Sequence, residues 1–201
     1  MSRLIVVGSS TGGPPILLDI LSMLPAPLPC PLVIAHHILP GFEEGLALWL
    51  SKTGHTIVVA RQALVLQSGT VYLAPGDQHI AVSGERLVPC APTGESFVPS
   101  VDVLFRSVAE SVRFATIAVL LTGMGRDGAA GLLAVRDAGG ETITQRADTC
   151  AVDGMPGEAR RLGAAAHDLP PADIARFLCE NSEKTQPVSS REKLLRLINA
   201  R

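Results

Sequence analysis

A chain of 201 residues, 47% hydrophobic and only 3% aromatic, has enough apolar material for one α/β domain with a sizeable core. Its formal net charge of −2, without any Lys/Arg block, argues against nucleic acid as the main partner. The apolar runs are too short for membrane insertion, and the first leads straight into Gly8 and Ser9 where a signal peptide would continue, so the expected location is the cytoplasm.

The first predicted strand is Leu4–Val7, followed by Gly8-Ser9-Ser10-Thr11-Gly12-Gly13 and then Pro14-Pro15 at the head of a helix over Ile16–Leu24. Gly8, Ser10 and Gly12 fit G-x-S-x-G, the nucleophile-elbow pattern, in which a sharp turn lifts a serine hydroxyl clear of the sheet edge. The helix behind it is expected to aim free N–H groups and its positive dipole end at that hydroxyl. A phosphate loop fits poorly, because Pro14 and Pro15 stand where Lys and Ser/Thr belong. A dinucleotide fingerprint would need a glycine at Ser10 and an acid after the next strand.

That next strand, Leu32–Ala35, ends instead in His36-His37. A helix over Glu43–Lys52 and a strand over Thr56–Ala60 follow, and this β-α-β-α-β order implies parallel pairing with right-handed crossovers. Val71–Ala74, His79–Val82 and Arg86–Val88, separated by turn residues, are expected to form antiparallel hairpins extending the sheet. Ser100 is placed to cap a helix over Val101–Val112. The strand Thr116–Leu121 breaks at Thr122–Gly128 before a helix over Ala129–Ala138. Then come a strand over Glu141–Gln145, a helix over Pro156–Arg161, a strand over Ala164–His167 and a helix over Pro171–Cys179. The expected fold is a doubly wound α/β domain over residues 1–179, mostly parallel, with an antiparallel hairpin near one edge. Residues 180–201 are expected to be a polar linker or tail with a short amphipathic helix over Arg191–Ile198.

Ligands of open parallel sheets bind beyond the strands' C-terminal ends, and three such ends carry reactive groups: Ser10, His36-His37 and Asp127. Together a hydroxyl, an imidazole and a carboxylate make the set for nucleophilic acyl transfer. Strand alternation lets only one of His36 and His37 face the serine, and the residues alone do not say which. Asp127 has a competing explanation as a cap for the helix after Gly128, while Asp102 reads as a first-turn helix charge and Asp77 as a turn residue. A metal site is not expected, since His79 with Asp77 is the sole nearby third-ligand candidate for the histidine pair. The four cysteines, Cys30, Cys90, Cys150 and Cys179, lack a C-x-x-C pair and read as reduced thiols.

The segment Gly8–Pro15 resembles the nucleophile motif of the chemotaxis protein-glutamate methylesterases. His36-His37-Ile38-Leu39-Pro40-Gly41-Phe42 resembles that family's histidine segment, Val71–His79 its central hairpin, Pro99–Phe105 its mid-domain helix start, Leu121–Ala129 its aspartate motif, and Gly154-Met155-Pro156 its final loop. The resemblance spans roughly residues 3–178. It implies hydrolysis of glutamate methyl esters on bacterial chemoreceptors, with glutamine deamidation as related chemistry. Ser10 would be the nucleophile, His37 the base and Asp127 the orienting acid. The backbone N–H of Met124 would serve the oxyanion hole, with that of Thr11 a reasonable second donor. No metal or organic cofactor is implied. The implied partners are methylated cytoplasmic receptor helices and a separate regulatory or receiver protein. His36 in place of the usual glutamine and Arg126 in place of asparagine depart from the pattern beside the site and bear on substrate choice. Members commonly carry an N-terminal receiver domain, which a strand beginning almost at Met1 does not provide, so a free-standing esterase or a catalytic piece is expected. The competing readings are a serine esterase acting on another protein or small ester, and a binding module whose triad idles.

Overall fold

The computed structural model describes residues 2–111 and 114–183. Its elements run β1 (Ser2–Ser9), α1 (Gly13–Met23), β2 (Leu32–His36), α2 (Glu43–Leu50), β3 (Thr56–Val59), β4 (Leu64–Val65), β5 (Thr70–Leu73), β6 (His79–Ser83), β7 (Arg86–Cys90), α3 (Val101–Glu110), β8 (Phe114–Leu120), α4 (Ala129–Asp137), β9 (Glu141–Gln145), α5 (Met155–Arg161), β10 (His167–Leu169) and α6 (Pro171–Asn181). Short 3-10 turns follow α2 and β9.

Every residue of β1 from Leu4 to Val7 is apolar and buried, as a strand covered on both faces requires. It lies inside a seven-stranded parallel sheet ordered β10-β9-β8-β1-β2-β5-β3. Alternate residues face two separate cores. Leu4 and Val6, with Val33 and Ala35 of β2, pack against Leu104 and Phe105 of α3, Leu132 of α4 and Ala159 of α5. Ile5 and Val7, with Leu32 and Ile34, pack against Leu17 and Leu21 of α1, Leu50 of α2 and Ile174 of α6. A one-residue slip of β1 would exchange the two sets, so the register is strongly specified.

The doubly wound, mostly parallel architecture is the expected one, with three corrections. Val71–Ala74 does not form a hairpin: β5 pairs in parallel with both β2 and β3 and separates them. Its residues Val71, Tyr72 and Leu73 are all buried, the mark of an interior strand. The antiparallel part is a separate three-stranded sheet, β4-β7-β6, in which β6 and β7 form the hairpin. The last strand is His167–Leu169, shifted toward the C-terminus from the expected Ala164–His167. α6 continues through Asn181. The expected amphipathic helix over 191–198, most of the expected polar tail and the expected end of α3 at Val112 lie outside the described residues.

Candidate active site

Ser10 follows β1 directly, at the C-terminal edge of the sheet. Its N–H donates to the carbonyl of Thr122 at 3.0 Å, and its own carbonyl accepts the N–H of Gly13 at 2.8 Å. The left-handed conformation of the turn falls on Gly12, at φ 79°. Among the described residues no non-glycine has positive φ, so Ser10 reaches the rim without backbone strain of its own. The free N–H groups expected at the start of α1 are largely missing. Pro14 and Pro15 have none, and that of Gly13 is taken by Ser10.

The β1–β2 register sets Ser9 beside His36, and the pairing continues one residue on, where the His37 N–H donates to the Ser9 carbonyl at 3.1 Å. Alternation then creates two serine–histidine pairs. His36 has the parity of Leu32 and Ile34 and is buried, with its Nδ1 2.9 Å from Ser9 Oγ. His37 has the opposite parity, and its Nδ1 lies 3.1 Å from Ser10 Oγ. His36 therefore sits beneath the rim, its side chain on the opposite face of β2 from that of His37. Burial, helped by the neighbouring His37, pushes its pKa down to about 4.

His37 Nε2 is 2.7 Å from Asp127 Oδ2. An ionised carboxylate can only accept, so the ring proton belongs on Nε2 and the Nδ1 lone pair faces the serine hydroxyl. The ring is thus used in the sense opposite to the common serine-protease arrangement. The carboxylate is held by the first turn of α3. Val101 N–H donates to Oδ2 at 2.7 Å, and Asp102 N–H (3.0 Å) and Ser100 Oγ–H (2.9 Å) donate to Oδ1. Burial opposes ionisation of Asp127, but the bonds from His37 and the two backbone amides outweigh it and lower the pKa.

Asp127 does sit on a helix N-terminus, but that of α3 and not, as its competing explanation had it, that of α4. The exchange is mutual. Asp102, in the first turn of α3, accepts the N–H of Gly131 in the first turn of α4 at 2.6 Å. Each helix start is therefore neutralised by the acid that introduces the other. The helices can approach this closely because residue 131 is glycine: a Cβ there would lie 2.7 Å from Phe105 Cβ.

Thr122 ties the Ser10 loop to its neighbours. Its N–H donates to Gln145 Oε1 at 2.9 Å and its hydroxyl contacts the Thr11 and Val152 carbonyls. The next residue, Gly123, packs so closely that an added Cβ would meet Ser10 Cβ at 2.7 Å and run into Met155 Sδ. That approach sets Met124 directly after a residue in contact with Ser10. Among the described residues, neither the Thr11 N–H nor the Met124 N–H has a protein acceptor.

Phe97 stacks flat on His37, with ring centroids 4.4 Å apart and planes 6° from parallel. Phe97, Met124, Leu39 and Phe42 are all exposed, the last two in the loop that leaves His37. Behind Asp127 a groove of about 640 Å³ runs between α3 and α4, lined among others by Phe97, Arg106, Arg126 and Glu158. The thiols offer no rival nucleophile there. Burial raises Cys30 to about 11 and Cys150 to about 12, so both stay protonated near neutrality.

Ser10, His37 and Asp127, predicted from three distant segments, are thus within hydrogen-bonding distance of one another in series. His79 lies apart from the histidine pair and bonds to Ser100 and Glu95. Sequence reasoning missed Ser9 as the partner of His36, Ser100 as a donor to Asp127, and Phe97. Register parity would have found the first, whereas the bond of Ser100 to Asp127 joins residues 27 apart and has no local signal.

A family model described as CheB methylesterase matches residues 5–178. The chain belongs to the CheB methylesterase family. Among CheB relatives, a protein-glutamate methylesterase/protein-glutamine glutaminase 2 of Methanospirillum hungatei is 46% identical over 187 residues, covering 92% of this chain and 53% of the relative. The protein-glutamate methylesterase FrzG of Myxococcus xanthus is 41% identical over 180 residues, covering 88% of this chain and 54% of the relative. The chain spans about half the length of the curated relatives it matches. The crystal structure of the Thermotoga maritima CheB methylesterase catalytic domain superposes with a TM-score of 0.83 at 36% identity, covering 90% of this chain and 98% of that one. The doubly wound CheB fold is therefore common to both.

Proposed function

We propose that this domain hydrolyses glutamate methyl esters on the cytoplasmic helices of chemoreceptors, and deamidates receptor glutamines by the same acyl chemistry. The observation that carries the reading is the series Ser10 Oγ, His37 Nδ1 (3.1 Å), His37 Nε2 and Asp127 Oδ2 (2.7 Å) at the sheet edge of a CheB-family chain. The names of the relatives supply the substrate class.

In this reading Ser10 Oγ attacks the ester carbonyl carbon while its proton passes to His37 Nδ1. Asp127, ionised and fixed by α3, stabilises the imidazolium that results. The carbonyl oxygen becomes an oxyanion facing the Thr11 and Met124 N–H groups, whose lack of protein acceptors suits that role. The C–O bond to the methoxy group breaks and methanol leaves with the proton held by His37. Water then gives a proton to Nδ1 and attacks the acyl-serine, releasing the glutamate carboxyl and restoring the Ser10 hydroxyl. For glutamine, ammonia leaves in place of methanol. The exposed apolar side chains Leu39, Phe42, Phe97 and Met124 favour a protein surface as substrate over an enclosed small molecule.

Methanol release from methylated receptor membranes tests this. Wild type is expected to release it, and Ser10→Ala to lose roughly 10⁴-fold or more of the rate. Equal release by both proteins would overturn the assignment of Ser10. Release from small esters with none from receptors would favour the alternative substrate.

A further inference from the structure

A second imidazole is wired like His37. His79, 1% exposed at the start of β6, accepts the Ser100 N–H on Nδ1 at 2.9 Å and meets Glu95 Oε2 with Nε2 at 3.0 Å. The Ser100 amide can only donate, so Nδ1 carries no proton and the Nε2–H donates to Glu95. Glu95 is fixed in turn by the N–H of Thr93 at 2.7 Å and its hydroxyl at 2.8 Å. Those bonds, the Thr93 amide first, hold its carboxyl down at about 2, so it is ionised at working pH.

We propose that His79 and Glu95 are positioning residues for the reaction, holding Ser100 and the first turn of α3 where Asp127 faces His37. Ser100 is the junction. Its N–H is held by His79, its Oγ–H donates to Asp127 Oδ1, and its next two amides donate to the same carboxylate. A shift of residue 100 would move three of the four donors to Asp127 together. Hydrophobic packing alone would call for an apolar side chain at position 79, because burying an imidazole costs desolvation. A histidine there can accept from Ser100 and donate to Glu95 at once. The loop that carries Glu95 also carries Phe97, which lies flat on His37. One loop thus bears on the base directly and on the acid through His79.

The proposal rests on Ser10 being an activated nucleophile, so the readout is its reactivity toward a fluorophosphonate probe, measured on the full chain as a saturating labelling rate and a half-saturating concentration. His79→Leu is expected to slow the saturating rate roughly 10- to 100-fold with little change in half-saturation, as a small misplacement does. His79→Asn, whose Oδ1 falls near the place of Nδ1 and can accept from Ser100, is expected to recover most of that loss. Glu95→Ala, at the less buried end, is expected to slow labelling a few-fold in a chain that still folds, with Tm lowered because His79 Nε2–H loses its acceptor. Should His79→Leu fail to fold, Glu95→Ala decides. Wild-type labelling rates in His79→Leu or in Glu95→Ala would overturn the proposal, as would loss in His79→Asn equal to that in His79→Leu. A wild type labelled no faster than Ser10→Ala would instead overturn the nucleophile reading, and this proposal with it.

Discussion

Two serine–histidine pairs stand one residue apart on the same two strands, and they differ in what surrounds them. Ser9–His36 is buried on the α1 side, and its short contact joins two residues that are at most 5% exposed. Ser10–His37 has a slightly longer contact, lies at the rim, and has Asp127 behind the ring. The pair with the shorter hydrogen bond is the worse candidate for catalysis. Its imidazole is held neutral by burial, with a pKa near 4, and no substrate can reach its serine. Proximity of a hydroxyl to an imidazole is therefore not what makes a nucleophile. The third group and the open side do.

The largest way to sharpen this contrast is to take the acid from the outer pair. Asp127→Asn leaves the shape but offers His37 an amide, which permits the wrong tautomer, and methanol release is expected to fall about 10⁴-fold. A loss of less than tenfold would make the two pairs more alike than their surroundings suggest. The next effect belongs to the inner pair and to stability. His36 titrates near 4 when folded, against its ordinary 6.5. Between those values the unfolded chain binds more protons, so stability rises with pH and is lost as pH falls from 6.5 toward 4, by on the order of 2–3 kcal/mol. Asp127 and Glu95, whose folded pKa values are lowered, act only below their ordinary 3.8 and 4.5, outside the upper part of that window. Melting curves from pH 4.5 to 7 should slope for wild type and flatten for His36→Gln; parallel curves would refute the assignment. The smallest effect is expected from Ser9→Ala, which strands a buried ring nitrogen. It should lower stability by about 1–3 kcal/mol while methanol release stays within a few-fold of wild type. A loss of activity comparable to that of Ser10→Ala would mean that the inner pair takes part in the chemistry.

The rim was legible from the chain because each reactive residue sits where a buried apolar run stops. Leu4–Val7, Leu32–Ala35 and Thr116–Leu121 are strands whose ends name Ser10, His37 and Asp127. Choosing His37 over His36 needed more than the local pattern. Parity decides it, but only once α3 is known to lie on the face shared by Leu4, Val6, Val33 and Ala35. The place of β5 was hidden for a similar reason. That it lies between β2 and β3 is a property of pairing across the sheet, and only its uninterrupted burial hinted at an interior position. Ser100 was read as a cap, which it is, with Val103 N–H donating to its hydroxyl at 3.3 Å. Its bond to Asp127 joins residues 27 apart in sequence, and no local signal carries that.

The crossed arrangement of Asp102 and Asp127 makes the grip on the imidazole depend on how two helices sit against each other. The groove between α3 and α4 is lined by Asp127 itself, with Arg106 and Arg126 set among Glu95, Asp102 and Glu158. A small compound wedged there would press the helices apart and turn the carboxylate away from the ring. It would inhibit without competing for the hydroxyl.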